Sequence, residues 1–326
     1  MIQIKVRTRR LIEDFSLEPL GLLTVTLPKS RRRRRKRKRS RSGRAERLCT
    51  VAGTEIGAMR QSGTHDEGLA LTFLGTCGEI EARSRRHRRH SALLLRRGHS
   101  RIMMDCGADW LRRVHELKPT AIVLTHAHPD HARGLALGAP CPVYATRKTW
   151  KSLSTYPVRE RRIMPLRKSV TIGRIKFEAF PVEHSLRAPA VGYRISAGGA
   201  RFFYVPDLVA IRDRGRALQG IDLYIGDGAM IKRPLVRKRK GTLIGHTSIR
   251  RQLAWCRNEG VPTAFFTHCG TEIVSGDARR LDRVVHDMGT ECGVNAYIAH
   301  DGRCLLLHRR GASLSRARYS RRGTKH

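Results

Sequence analysis

Acidic residues are scarce in this sequence. Against 66 Lys+Arg stand 27 Asp+Glu, a net charge of +39 over 326 residues. Such a surface disfavours cationic partners and concentrates anions, phosphates first among them, although charge alone does not single out nucleic acid. No apolar run approaches the roughly 20 residues that span a bilayer, so no membrane partner is expected. A signal peptide is not expected either. The Leu20–Leu23 stretch is short, acidic residues precede it, and no clear cleavage site follows. The 8 cysteines include no CxxC pair and lack the spacing of a disulfide framework. Scattered thiols of this kind point to the cytoplasm. No internal repeat stands out.

The apolar content, 40%, is ordinary for a globular enzyme, and the length allows one large domain or two small ones. Part of the charge is local. Residues 1–65 hold 18 Lys+Arg and 5 Asp+Glu, net +13; the remainder is net +26, so the folded part is basic too. SRRRRRKRKRSR (30–41) is a like-charge run that repels itself. We read residues 1–65 as a disordered basic arm, either a nucleic-acid-binding or localisation segment or a tail without a role, with Met59 an alternative start. We read residues 66–310 as the folded domain and 311–326 as a basic tail.

From Leu69 the texture changes to apolar runs separated by turn residues: LALTFLG (69–75), SALLL (91–95), RIMMDCG (101–107), AIVL (121–124), CPVYA (141–145), KFEAFPV (176–182), AVGYRIS (190–196), ARFFYVPD (200–207), IDLYIGD (221–227) and TAFFTH (263–268). Residues 296–299 and 304–308 complete the strands. Helices are expected around 132–137, 148–153, 247–258 and 278–287. Many strands with few helices fit an α/β sandwich, two sheets with helices outside.

One stretch concentrates titratable groups. THAHPDH (125–131) follows the AIVL strand directly. His126 and His128 alternate outward from the strand end; Asp130 and His131 follow where Pro129 favours a helix start. One segment thus offers two imidazoles to one point and a carboxylate plus an imidazole to a second. Both side-chain types are good ligands for Zn²⁺, Mn²⁺ or Fe. His184 in FPVEHS, Asp207 in YVPD and His268 in FFTH also lie at strand ends.

This order resembles the metallo-β-lactamase superfamily, whose signature is HxHxDH followed by a His, an Asp and a His, over residues 69–308. The resemblance implies a four-layer αββα sandwich and two divalent metal ions, zinc first, with manganese or iron as alternatives. By the same resemblance His126, His128 and His184 would bind one ion, Asp130, His131 and His268 the other, and Asp207 would bridge them. Two ions about 3.5–4 Å apart acidify a shared water and offer a hydroxide near neutral pH; Asp130 would orient it.

GHTS (245–248) and LGTCGE (74–79) are similar to stretches of ribonuclease Z and of the cyclic-phosphate phosphodiesterases of phosphonate operons. That makes His246 a candidate general acid, with Thr247 or Ser248 as a helix cap. The arginines of ARSRRHRRHS (82–91), Arg83 and Arg86 among them, either grip phosphate or form a solvated loop. IKRPLVRKRKGT (231–242), with Arg237 and Lys238, reads as a phosphate-attracting loop or as a surface excursion. Asp227 reads as a carboxylate hydrogen-bonded to a ligand histidine or as a turn residue. One departure stands out: ribonuclease Z inserts a long RNA-binding arm between the single histidine and the bridging aspartate, and only 22 residues separate His184 from Asp207 here. The expected function is a dinuclear metal-dependent phosphodiesterase acting on a nucleotide, cyclic phosphate or nucleic acid. The rivals are a thioester, lactone or amide hydrolase of the same fold, and a non-catalytic nucleic-acid-binding protein. A homo-oligomer stays open.

Overall fold

The computed structural model describes residues 2–8, 24–26 and 68–309. The remainder of the expected basic arm, including the arginine run, and the tail from 311 lie outside the described residues. Two segments of that arm are strands: β1 (Ile2–Thr8) and β2 (Thr24–Thr26). The strands of the body follow in chain order as β3 (Leu69–Gly75), β4 (Ala92–Arg97), β5 (Ser100–Met104), β6 (Ala121–Val123), β7 (Val143–Ala145), β8 (Arg161–Ile163), β9 (Ser169–Ile172), β10 (Ile175–Glu183), β11 (Ala190–Ala197) and β12 (Ala200–Tyr204). Then come β13 (Ala210–Ile211), β14 (Leu223–Asp227), β15 (Leu235–Arg239), β16 (Thr242–His246), β17 (Thr263–Thr267), β18 (Asn295–Ile298) and β19 (Arg303–Arg309). The helices are α1 (Pro129–Ala132), α2 (Arg147–Ser152), α3 (Arg214–Leu218), α4 (Ile249–Asn258), α5 (Thr271–Val274) and α6 (Ala278–Glu291).

Nine strands form one sheet in the order β2-β1-β19-β3-β4-β5-β6-β7-β8, and a second runs β13-β10-β11-β12-β14-β17-β18 with β9 on β10. β1 belongs there because β19 offers it a pairing edge, Ile2 opposite Arg309 through Thr8 opposite Arg303. Its IQIKVRT alternates apolar and polar residues, the period of a strand, and that alternation overrides the basic surroundings.

Side-chain alternation sorts the apolar residues into three layers. Leu69, Leu71, Phe73, Leu93, Leu95, Ile102 and Met104 of the first sheet meet Phe177, Tyr193, Ile195, Phe202, Tyr204, Ile225 and Phe265 of the second in one buried core. The opposite face of the second sheet, with Phe180, Phe203, Tyr224 and Phe266, is covered by Ile249, Leu253 and Cys256 of α4 and Leu281 and Val285 of α6. Met103, Ile122, Leu124 and Val143 point the other way from the first sheet, onto Trp110, Ala132, Leu135 and Trp150. Helix, sheet, sheet, helix is the expected αββα sandwich.

β5 to β8 run parallel, as do β12, β14, β17 and β18. The carboxyl ends of β6, β10, β12, β14 and β17 therefore open on one rim, the place where α/β sheets bind ligands. The sheets are tied there by Tyr193, whose hydroxyl donates to the Leu124 carbonyl at 2.7 Å.

The stretch 231–242, expected as a loop, is largely a β-hairpin. β15 and β16 pair antiparallel from Leu235 opposite His246 to Arg239 opposite Thr242. Lys240 and Gly241 both adopt positive φ, 47° and 77°, which is a two-residue type I′ turn. Leu235-Val236 and Leu243-Ile244 supply the strand-forming residues that the charge run obscures.

Candidate metal centre

The rim gathers all seven sequence-predicted ligand side chains into two groups that share Asp207. His126, His128, His184 and Asp207 form one; Asp130, His131, Asp207 and His268 form the other, each with its ligand atoms within 4.8 Å of one another. In the first group His128 Nδ1 lies 3.0 Å from His126 Nε2 and 3.2 Å from His184 Nε2, and His184 Nε2 is 3.2 Å from Asp207 Oδ2. In the second, Asp130 Oδ2 is 3.1 Å from both His131 Nε2 and His268 Nε2, and His268 Nε2 is 3.0 Å from Asp207 Oδ1.

Local structure explains the convergence. His128 caps α1 in an extended conformation with Pro129 at its first turn, so Asp130 and His131 turn back toward the strand end that carries His126 and His128. His268 leaves β17 in the left-handed region, φ 53°, at a cost of about 1–2 kcal/mol. Gly78 passes so close that a Cβ there would meet the His268 ring at 3.1 Å.

Outer partners fix which ring nitrogen faces inward. His184 Nδ1 donates to the Gly245 carbonyl at 3.1 Å. His126 Nδ1 is 3.0 Å from the Thr125 hydroxyl. His131 Nδ1 donates to Asp105 Oδ2 at 3.0 Å. Sequence reasoning passed over Asp105. It is fully buried and also accepts from the Thr125 amide at 2.8 Å and the Thr125 hydroxyl at 3.0 Å. Its signal was present in RIMMDCG, a carboxylate ending a strand beside the one that leads to THAHPDH, but it reads as a turn residue until the two strands are paired.

The donor set fits divalent cations. Neutral imidazole nitrogens and carboxylate oxygens converge in a buried space. His131 Nε2 and Asp207 Oδ1 are buried without a well-directed hydrogen bond, although Asp130 Oδ2 and His268 Nε2 lie 3.1 and 3.0 Å from them, and such atoms are costly unless something binds them. Protons fill part of that role in the protein alone. Burial lowers His184 to about 4 despite the nearby Asp207 carboxylate. Burial opposes protonation of His268 as well, but Asp207 and Asp130 outweigh it and push the imidazole up to about 10. His131 is likewise raised, against burial, by Asp130, Asp207 and Asp105.

His246 joins the rim as the last residue of β16. Its Nδ1 donates to Asp227 Oδ2 at 2.8 Å, and its ring stacks on His268 with centroids 5.4 Å apart. Asp227 thus pairs with His246 rather than with one of the seven ligand residues. It also accepts from the Leu208 amide at 3.1 Å and the Ala229 amide at 2.8 Å, so His246 meets a fixed carboxylate. Ser248, not Thr247, caps α4 through the Arg251 amide.

The four predicted cationic contacts are placed differently. Arg83 turns back on its own loop, to the carbonyls of Ile80 and Ala82 and to His90. Arg86 is paired with Asp282 of α6 at 2.7 Å. Arg237 and Lys238 are exposed on β15. A cavity of about 650 Å³ opens beside His184, walled by Ile163, Met164, Leu166, Leu186 and Pro189, with Arg147 and Arg212 among its lining residues.

Residues 100–269 match the beta-lactamase superfamily domain. The chain belongs to this superfamily. It is 31% identical over 147 residues to ribonuclease Z of Methanopyrus kandleri, a match covering 40% of this chain and 51% of that protein; the superfamily chain thus spans about half the length of that curated relative. Among solved structures, the metallo-beta-lactamase fold protein YhfI from Bacillus subtilis superposes with a TM-score of 0.59 at 17% identity, over 73% of this chain and 98% of that one. A diphosphatase from the PhnP family superposes with a TM-score of 0.56 at 20% identity, over 74% and 98%. Both share its fold. Among the described residues no helix is long and apolar enough to cross a membrane.

Proposed function

We propose that the chain is a phosphodiesterase whose seven ligands hold two divalent ions, zinc first. Its substrate is a phosphodiester in a nucleotide, a cyclic phosphate or a nucleic acid. The His246–Asp227 pair carries this reading. When bound, the ions supply a nucleophilic water near neutral pH and neutralise charge building at the attacked phosphorus.

The chain's own groups do the rest. Asp105, Thr125 and the Gly245 carbonyl hold His131, His126 and His184 in their orientations. Asp130 has Oδ2 on His131 and His268, and its carboxylate would orient the attacking water. His246 has Nδ1 committed to Asp227, which leaves Nε2 to carry a proton to the leaving oxygen. Burial opposes that protonation, and the Asp227 charge and hydrogen bond raise the imidazole above its ordinary value regardless. An acid so placed is needed for a sugar alkoxide and adds little for a thiolate, which leaves readily with a pKa of about 8.5. The similarity to a ribonuclease supports the same choice of bond. The unpaired described cysteines suit a reducing cytoplasm.

The test joins metal analysis to a substrate panel of bis-p-nitrophenyl phosphate, a dinucleotide and a thioester. Asp130→Ala abolishes turnover. His246→Ala keeps its metal and slows turnover by about 10²–10⁴ on the dinucleotide, and by less on the p-nitrophenyl ester. A metal-loaded wild type that cleaves the thioester and neither phosphodiester overturns the proposal.

A further inference from the structure

The β15–β16 hairpin is more than an approach to His246. Directly opposed residues of an antiparallel pair share a face, and the register places Leu235 opposite His246, Arg237 opposite Ile244 and Arg239 opposite Thr242. Arg237 and Arg239 therefore lie on the hairpin face that carries His246. Lys238 lies on the other, and Lys240 stands in the turn. Thr242, on the His246 face, also lines the apolar cavity beside His184.

We infer that this hairpin is a polynucleotide-binding arm: Arg237 and Arg239 hold successive phosphates of a strand whose scissile phosphate lies at His246, and a neighbouring base enters the cavity walled by Ile163, Leu166 and Leu186. The inference rests on the phosphodiesterase reading and narrows its substrate to a polymer.

Reach is the first argument. A strand rises about 3.4 Å per residue, so Arg237 and Arg239 stand roughly 7 and 14 Å along the arm from the level of His246. A mononucleotide or cyclic phosphate held at His246 does not extend to Arg239; consecutive nucleotides do. Charge is the second. Residues 231–242 contain Lys232, Arg233, Arg237, Lys238, Arg239 and Lys240 and no acid. None of the six has a hydrogen-bond or ion-pair partner among the described residues, whereas Arg83, Arg86, Arg113, Arg167 and Arg214 on the body are bonded to protein groups. A two-stranded hairpin is marginal by itself, and uncompensated like charges weaken it further, so fold stability does not account for them.

Anchorage is the third argument. The Gly245 amide donates to the His184 carbonyl at 2.9 Å and the Thr247 amide to the Leu208 carbonyl at 2.8 Å. The arm is thereby held in register with the metal centre. The cavity adds an apolar receptor. Ile163, Leu166 and Leu186 are 42%, 45% and 39% exposed, and three large apolar side chains left open around one cavity invite an apolar face such as a nucleobase.

The experiment compares Arg237→Gln/Arg239→Gln with Lys238→Gln/Lys240→Gln in the full chain. Anisotropy reads binding of fluorescein-labelled twenty-nucleotide single strands, RNA in one arm and DNA in the other, across a salt series; turnover is read on the same strands and on bis-p-nitrophenyl phosphate. The arginine pair is expected to weaken strand binding about tenfold and to lower the salt slope by about 1.4, the share of two phosphate contacts on a single strand. Its loss of kcat/KM on the strand exceeds its loss on the small ester, and exceeds the lysine pair's loss on the strand. Equal losses for strand and ester, equal effects of the two pairs, or no change in the salt slope overturn the arm. Strand binding that depends on the arginine pair without any hydrolysis by wild type sinks the phosphodiesterase reading and leaves the arm standing. RNA preferred over DNA, or the reverse, names the polymer.

Discussion

Asp105 shows how a single side chain sets the quality of the site. It touches no ligand atom that faces the cluster centre, yet it holds His131 by the far nitrogen and is itself held by Thr125. It also sits in a left-handed conformation, φ 59°, which costs about 1–2 kcal/mol and persists because the surrounding bonds over-determine it. Asp105→Asn keeps the size and weakens the grip on the imidazole, so metal affinity falls by about 10–100-fold with little change in fold, as competition with a chelating dye would show. Asp227 acts on His246 in the same manner. Its charge favours the imidazolium, and an acid is lost as pH rises through its pKa. Asp227→Asn therefore shifts the basic limb of the pH–rate profile to lower pH; an unmoved limb removes His246 from the acid role.

At the scale of elements, the glycine between His184 and His246 carries much of the precision. Gly245 has φ 113°, and a Cβ there would come within 2.0 Å of the Leu235 carbonyl oxygen. Gly245→Ala must break the hairpin register at its base, displacing both histidines at a cost of about 1–3 kcal/mol in strain. Turnover should fall by more than thermal stability does, since the hairpin buries little.

The same scale shows what was readable beforehand. β14 and β17 are buried along their whole length and β11 and β12 nearly so, whereas β3 and β10 alternate buried with more exposed residues, and each pattern leaves a mark in the sequence. The seven side chains of the candidate centre were legible because they fall where such strands stop. The hairpin was hidden because four consecutive cations outvoted the alternation beneath them. β8, exposed along its length, and the two-residue β13 left no apolar trace. Asp105 and its bond to His131 needed the pairing of β5 with β6, which one chain read in order does not display.

For the whole molecule, stability is linked to protons and to metal. His87 is lowered to about 4, by burial first and then by the charges of His300 and Arg86, and His300 is lowered to about 4, by burial and Arg303. The unfolded chain takes up these protons near pH 6.5 and the folded one refuses them until about pH 4. Their contribution is thus complete above about pH 6.5 and is lost as pH falls toward about 4, on the order of 2 kcal/mol for each. Urea unfolding of metal-stripped protein at about pH 7.5 and pH 5 reads this loss, and His87→Gln/His300→Gln diminishes it. Metal acts in the opposite direction. His131 and His268 are raised, so the metal-free centre holds protons at neutral pH that cations must expel; affinity rises with pH, and loading releases about two protons per chain, measurable by calorimetry in buffers of different ionisation heat.

The central claim, that seven distant side chains converge on a pair of divalent ions, is tested most directly by metal stoichiometry after stripping and reloading. The account predicts two tightly held zinc ions per chain in the wild type. In Asp207→Ala, where the shared carboxylate is removed, it predicts one ion or none, with a lower Tm. A wild type that takes up no zinc above background and keeps the same Tm with or without it would contradict the account.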